Sequence, residues 1–311
     1  MKFEFQISTA SDNNSILQEC ERRFQWIKEK GYSLDLNLIS NKVNNRDMVK
    51  IVLYGRKSPG LFRDADIIHI FKHQMSEILA EHILSEWEEK LIRKEINRNC
   101  KPLSVDEKEG VFSRAREFIR NCHNSESLNL LMNYGRKNRI AHRIFDHIEN
   151  CQHLAIEGFI NFCMQDYLTE LRFAVELARE ELKNEKEYNE FIKLLRHFVE
   201  TQSPKVYEVN LTMGHSGVFS LWDENGTNIE KNYINYYLSD MIYDDINLDD
   251  LLISILITIA PRRIVLHQTN GLSFSEPVKI IKKVFKDRII ICPGCERCYD
   301  YASNTDHKRH T

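Results

Sequence analysis

Three cysteines near the end of the chain are the residues whose type and spacing point most directly to chemistry. Cys292, Cys295 and Cys298 form a CxxCxxC pattern. Thiolates at this spacing ligate zinc and iron–sulfur clusters. Pro293 and Gly294 favour a tight turn, in which neighbouring sulfurs can converge on one ion. The pattern therefore predicts a metal site for zinc, or for an iron–sulfur cluster.

The fourth ligand of this site is open in the sequence, because three thiolates are one short of the closed tetrahedral set of a structural zinc ion. His307 or His310 in the tail could supply it, and Cys163 could do so if the domains touch. Two alternatives stand beside metal binding. The three thiols could be reduced and partly buried side chains without an ion, or they could do redox chemistry.

A basic segment is the second candidate. Arg136, Arg139 and Arg143 follow one another at i, i+3 and i+7, which places them on one face of a predicted helix, with Lys137 beside them. Such a face could contact the phosphates of a nucleic acid, or an acidic partner. The alternative is a solvated face that pairs with the acidic residues of 151–200. The net charge of −3 favours this alternative, since a chain with this charge lacks the broad basic surface of a nucleic-acid-binding protein.

Other polar groups are better explained as solvated side chains. His69, His73 and Glu77 stand at i, i+4 and i+8, but they fall opposite an apolar helical stripe. The aspartates between Asp240 and Asp250 are typical of helix starts, where carboxylates favour the helix dipole. Neither a phosphate-binding glycine loop nor a GxSxG elbow is present, so no catalytic residue is assigned.

The elements that position these residues fall into three predicted domains. In residues 1–60, segments with strand-like alternation of apolar and polar residues flank a helical pattern and a turn, which predicts a small α/β module. In residues 61–202 the apolar residues recur with a helical period. Residues 203–311 return to strand patterns and end in a strand–helix–strand succession, which predicts a C-terminal α/β domain with a βαβ unit and a cysteine knuckle. The predicted fold class is α+β.

Within the helical region, one apolar face is predicted to pack into a core. Phe191, Leu194, Leu195 and Phe198 recur at i, i+3, i+4 and i+7. Such a stripe is typical of a helix that buries one side against its neighbours.

The chain has no segment that reads as a membrane span or a signal peptide. Its most apolar run, Leu251–Ala260, is half the length of about 20 residues that a bilayer requires. We therefore expect a cytoplasmic protein whose 8 cysteines are thiols rather than disulfides. At 311 residues, more than one hydrophobic core is expected.

Several stretches carry a family resemblance; they are Glu157–Phe162, Asp166–Leu171, Glu187–Glu200, Asp249–Pro261 and Cys292–Cys298. Together they resemble the sporulation protein YtxC family of endospore-forming bacteria, over roughly residues 155–298 and by layout over the first half. One departure is Cys163, where the family pattern has an arginine. The resemblance implies a part in sporulation, and it carries no catalytic residue or ligand with it.

The function predicted from these observations is that of an accessory, non-enzymatic cytosolic protein of sporulation. It would act through a protein partner, or through a nucleic acid. The alternative is a metal- or iron–sulfur-dependent enzyme or redox sensor built on Cys292, Cys295 and Cys298.

Overall fold

The structure is a computed structural model. The residues that it describes are 2–11, 13–41, 46–55, 63–121, 125–213, 219–229, 248–267, 276–296 and 298. The chain divides into two compact units, Met1–Lys183 and Asn184–Thr311. Among the described residues, the first unit holds one sheet and most of the helices, whereas the second holds the other sheet. The fold class is therefore α+β, as predicted. The helices up to Lys183 lie in the same compact unit as the N-terminal sheet.

The sheet of the first unit has the strand order β2-β3-β1-β4. Its strands are β1 (Lys2–Ser8), β2 (Ser33–Asn41), β3 (Arg46–Tyr54) and β4 (His153–Ala155). β1 and β2 both pair antiparallel with β3, and β4 lies parallel to β1. The alternation of the first strand gives one buried face, since Phe5 and Ile7 have no exposed surface.

Helices complete the first unit; they are α1 (Asn14–Arg23), α2 (Gln25–Glu29), α3 (Asp64–His82), α4 (Glu88–Asn99), α5 (Val105–Arg120), α6 (Glu126–Asn150) and α7 (Ile156–Cys163). A π-helical turn, Ile83–Trp87, joins α3 to α4. α3 packs along α6 and buries Ile67, Phe71 and Met75. The start of α5 is fixed by a reciprocal capping box between Ser104 and Glu107.

The longest helix, α8 (Gln165–Thr201), extends beyond Lys183 into the second unit. Its buried residues there are Ile192 and Val199, and Leu195 packs against them in part. The prediction that Phe191, Leu194 and Phe198 are packed is wrong, because these side chains are 50%, 58% and 54% exposed. Two apolar stripes lie side by side on this helix, and the core covers the stripe of Ile192, Leu195 and Val199.

The sheet of the second unit has the order β6-β5-β7-β8. Its strands are β5 (Glu208–Met213), β6 (Phe219–Asp223), β7 (Arg263–Leu266) and β8 (Ile289–Ile291). β5 and β6 are antiparallel, whereas β5, β7 and β8 are parallel. Besides the end of α8, the described residues of this unit form the helices α9 (Leu248–Ile259) and α10 (Glu276–Phe285). β7, α10 and β8 form the predicted βαβ unit.

The core of the second unit lies between the sheet and its helices. Leu211 and Ile264 from the strands contact the apolar faces of α9 and α10, where Leu256 and Ile281 are buried. The carboxyl ends of β7 and β8 meet at one edge of the sheet, as parallel strands require, and this is where open α/β sheets place their ligands. Within the described residues, none of the helices combines the length and the apolar character needed to cross a bilayer.

Candidate metal centre

The first two residues of the candidate site come directly after two paired strands. β7 ends at Leu266 and β8 at Ile291, and these two residues are partners in the parallel register. His267 and Cys292 are the next residues of each strand. The amide of Cys292 donates to the carbonyl of Leu266 at 2.9 Å, so the pairing continues to this point. A histidine and a cysteine are therefore neighbours at the edge of the sheet.

A tight turn brings the other two cysteines back over the end of β8. Gly294 adopts a φ of 126°, a conformation that side chains with a Cβ rarely reach. The amide of Cys298 then donates to the carbonyl of Cys295 at 2.9 Å, which closes a second turn. The predicted CxxCxxC knuckle therefore folds so that its three sulfurs face the same point.

Four potential ligand atoms meet at this point. One atom each from His267, Cys292, Cys295 and Cys298 lies within 4.8 Å of the others. The Sγ atom of Cys298 is 3.7 Å from that of Cys295 and 3.8 Å from that of Cys292. The Nδ1 atom of His267 is 3.3 Å from the Sγ of Cys295 and 3.5 Å from that of Cys298. These side chains can hold a metal ion with protein ligands alone.

His267 is held in place from two sides. Its ring is buried, and its Nε2 atom lies 3.0 Å from Oδ1 of Asn210 on β5. The indole of Trp222 on β6 stacks against the imidazole, with ring centroids 5.4 Å apart. Both contacts leave the Nδ1 atom facing the sulfurs.

The thiols lie in a poorly solvated pocket. Cys292 and Cys298 are buried, and Cys295 is partly exposed. Burial raises the pKa of the Cys298 thiol, and the adjacent thiols of Cys295 and Cys292 raise it further. Without a cation, this environment favours the neutral thiol. A bound metal ion acts in the opposite sense, because it stabilises the thiolate.

The fourth ligand candidate in the structure is His267, which was not predicted from the sequence. The tail candidates His307 and His310 lie outside the described residues. Cys163, the other candidate, is an exposed residue of the first unit. A signal for His267 was present, since it follows a predicted buried strand that runs parallel to the one before Cys292.

Other sequence candidates form no comparable group. Among the described residues, the His267 cluster is the one place where three or more histidine, cysteine or acidic side chains converge in this way. His69 and His73 instead contact the ring of Phe145 edge-on. Asp249 and Asp250 lie in the first turn of α9, as a helix start favours, and Asp240 lies outside the described residues.

The basic segment lies on α6 and faces acidic groups of the same unit. Arg136 is 5% exposed and pairs with Glu170 through Nη2 and Oε1. Arg143 forms a bidentate pair with Asp166, with distances of 2.6 and 2.9 Å. Ion pairs with acidic residues of 151–200 are what the alternative to a phosphate-binding face predicts.

The remaining two basic side chains also have acidic neighbours. Lys137 lies 2.7 Å from Glu81 on α3. Arg139 is 60% exposed at its side chain and lies 3.6 Å from Glu170. Binding of nucleic acid through this face stays a prediction.

Comparison with known proteins identifies relatives of uncharacterised function. The profile of the YtxC-like family matches residues 73–290. The uncharacterized protein YtxC of Bacillus subtilis (strain 168) is 30% identical over 139 residues, which are 44% of this chain and 48% of that protein. The match thus spans about half the length of the relative. No solved structure matches the chain. The profile covers Asn210 and His267 and ends just before Cys292.

Proposed function

The chain belongs to the YtxC-like family, and we propose that its C-terminal unit binds one zinc ion through His267, Cys292, Cys295 and Cys298. In this proposal the ion stabilises the end of the second sheet. The protein is then an accessory, non-enzymatic protein of sporulation that acts in the cytoplasm through a protein partner.

The observation that carries the proposal is the spacing of the four ligand atoms. With Zn–S bonds of about 2.3 Å and a Zn–N bond of about 2.0 Å, the edges of a tetrahedron are about 3.8 Å between sulfurs and about 3.5 Å between sulfur and nitrogen. The two S···S distances at Cys298 are 3.7 and 3.8 Å. The two S···N distances at His267 are 3.3 and 3.5 Å. These four distances match the edges of a tetrahedron around a single ion, and the remaining two pairs of ligand atoms lie within 4.8 Å.

The same distances favour one ion over an iron–sulfur cluster. In a four-iron cluster each cysteine binds a different iron atom, and in a two-iron cluster no more than two cysteines share one, so that one sulfur does not lie at single-ion distances from two others. The sulfur of Cys298 is within 3.8 Å of both other sulfurs. Since Cys₃His is also a common ligand set of structural zinc, zinc is the metal that this chemistry favours.

The number of ligands favours a structural role over a catalytic one. Catalytic zinc keeps a position open for water or substrate, whereas four protein ligands fill the tetrahedron. His267 and the three cysteines would leave no such position. The competing function is a redox sensor, in which the thiols of Cys295 and Cys298, 3.7 Å apart, would be the reactive pair.

A protein partner is supported by one exposed apolar surface. Phe191, Leu194 and Phe198 form an apolar stripe along α8 in the second unit, and each is at least half exposed. Apolar surface of this kind is typical of protein contacts. The ion pairs of Arg136 and Arg143 make a nucleic acid the less favoured partner. The role in sporulation rests on the family resemblance.

Metal analysis of protein purified without oxygen tests the proposal. We expect about one zinc per chain in the wild type, and its loss in Cys295→Ser. Cys151→Ser is the matched control, because Cys151 is an exposed cysteine of the first unit. Iron with visible absorption would favour the cluster, and an absence of metal in the wild type would refute both.

A further inference from the structure

An imidazole can bind a metal through either nitrogen, and the hydrogen bond at the other nitrogen decides which one. In His267 the Nε2 atom is 3.0 Å from Oδ1 of Asn210. The Nδ1 atom is within 3.5 Å of the sulfurs of Cys295 and Cys298. The two nitrogens therefore face different groups, one an amide and the other the metal ligands.

The orientation of the Asn210 amide is fixed by a second contact on the same strand. Its Nδ2 atom donates to Oε1 of Glu208 at 3.3 Å. A carboxylate accepts hydrogen bonds and does not donate them, so the NH₂ group belongs on the Glu208 side. The carbonyl oxygen of Asn210 therefore faces His267. Glu208 in turn pairs with Arg263 on β7, at 3.2 Å.

The donor and acceptor directions of these hydrogen bonds set the tautomer of His267. Because Oδ1 of Asn210 can only accept, Nε2 of His267 must carry the proton and donate it. The lone pair is then on Nδ1, on the side of the cysteines. Asn210 and His267 are both more than nine-tenths buried, so water does not compete for these positions.

We propose that Asn210 is a positioning residue that commits His267 to binding the metal through Nδ1. The inference rests on the proposed zinc site and goes beyond it. Asn210 holds the Nε2 proton and sets the ring orientation, while Trp222 limits rotation by stacking on the ring face. Partners of this kind usually contribute about 10- to 100-fold to metal affinity.

Zinc affinity of a matched pair of variants tests this role. Asn210→Leu removes the acceptor, and Thr212→Val makes a similar polar-to-apolar change at a buried position two residues further along β5. Measured by competition with a chelator of known affinity, zinc should bind about 10- to 100-fold more weakly to Asn210→Leu. Thr212→Val should bind zinc like the wild type. Equal affinities in all three proteins would overturn the proposal.

A rescue variant separates positioning from packing. Glu208→Gln combined with Asn210→Asp exchanges donor and acceptor, since a glutamine amide can donate to an aspartate that still accepts from His267. The double variant should recover most of the affinity that Asn210→Leu loses. Affinity as low as that of Asn210→Leu would assign the effect to packing and contradict the proposal.

Long-range ¹H–¹⁵N spectra of histidine-labelled wild-type protein give a readout that does not depend on any variant. With zinc bound, His267 should carry its proton on Nε2 and its metal on Nδ1. Coordination through Nε2 would overturn the role of Asn210 and leave the zinc site intact. Absence of zinc binding by the wild type would instead overturn the proposed function itself.

Discussion

The backbone amide of Cys292 donates to the carbonyl of Leu266 at 2.9 Å. This bond continues the parallel pairing of β7 and β8 and places the sulfur of Cys292 beside His267. β8 has three residues and lies at the edge of the sheet. Its residues Ile290 and Ile291 are 40% and 50% exposed, so a metal bound at the ends of both strands would clamp a short and partly exposed edge strand.

This clamp predicts local stabilisation by zinc. A ligand that binds only the closed form, at about 100 times its Kd, stabilises that form by about 2.7 kcal/mol. We expect the amides of 264–266 and 290–292 to exchange with deuterium about 100-fold more slowly with zinc than after chelation, if they exchange by local opening. Hydrogen-exchange mass spectrometry measures this, and the amides of β1 serve as the internal reference. Equal exchange in β7 and β8 under both conditions would contradict the clamp.

Thiol reactivity should separate the cysteines by environment. Burial raises the pKa of Cys20 to about 12, so almost none of it is thiolate near neutral pH. We expect iodoacetamide to modify the exposed Cys151 and Cys163 in native protein and to spare Cys20. Cys295 should react only after zinc is removed. Peptide mapping by mass spectrometry gives each rate, and rapid labelling of Cys295 in zinc-loaded protein is the result that the account does not allow.

Arg136 should matter for stability rather than for binding. Its guanidinium is buried and donates to Glu170, to Oδ1 of Asn133 and to the carbonyl of Ile119. Removing these charged hydrogen bonds in Arg136→Ala should cost on the order of 2–3 kcal/mol in the free energy of unfolding. Arg139→Ala, at a largely exposed position, should change it by less than about 0.5 kcal/mol. Urea denaturation compares the two variants. A loss of unfolding free energy in Arg136→Ala as small as that in Arg139→Ala would show that Arg136 is not a structural residue.

The two apolar stripes of α8 should respond differently to truncation. Ile192 is 4% exposed, and Ile192→Ala should destabilise the protein by about 2–5 kcal/mol. Phe198 is 54% exposed, and Phe198→Ala should change stability by less than about 0.5 kcal/mol. Thermal unfolding measures both variants. A large loss in Phe198→Ala would mean that this stripe is covered in the folded protein.

Local patterns in the sequence predicted much of the second unit. The strand–helix–strand succession before Cys292 and the turn at Gly294 depend on residues that are close together in the chain, so their spacing is informative. The position of His267 depends on the pairing of β7 with β8 instead. Such pairing joins residues that are distant in sequence, and the local patterns of a single sequence do not show which strands pair.

The stripes on α8 show a different limit. Phe191 and Phe198 have a helical period, and so do Ile192 and Val199. The period identifies a helix with apolar sides, but the side that is buried depends on what the rest of the fold brings against it. For this reason the helix was predicted from the sequence and its buried face was not.

X-ray absorption at the zinc edge tests the central claim most directly, because it reports the number and type of ligands around the metal. We expect three sulfurs at about 2.3 Å and one nitrogen at about 2.0–2.1 Å in the wild type. In His267→Ala, the scattering from the outer atoms of the imidazole ring should disappear, whether or not a water oxygen takes the position of the nitrogen. A wild-type spectrum with no sulfur ligands, or unchanged imidazole scattering in His267→Ala, would contradict the assignment of His267 and the three cysteines as the metal site.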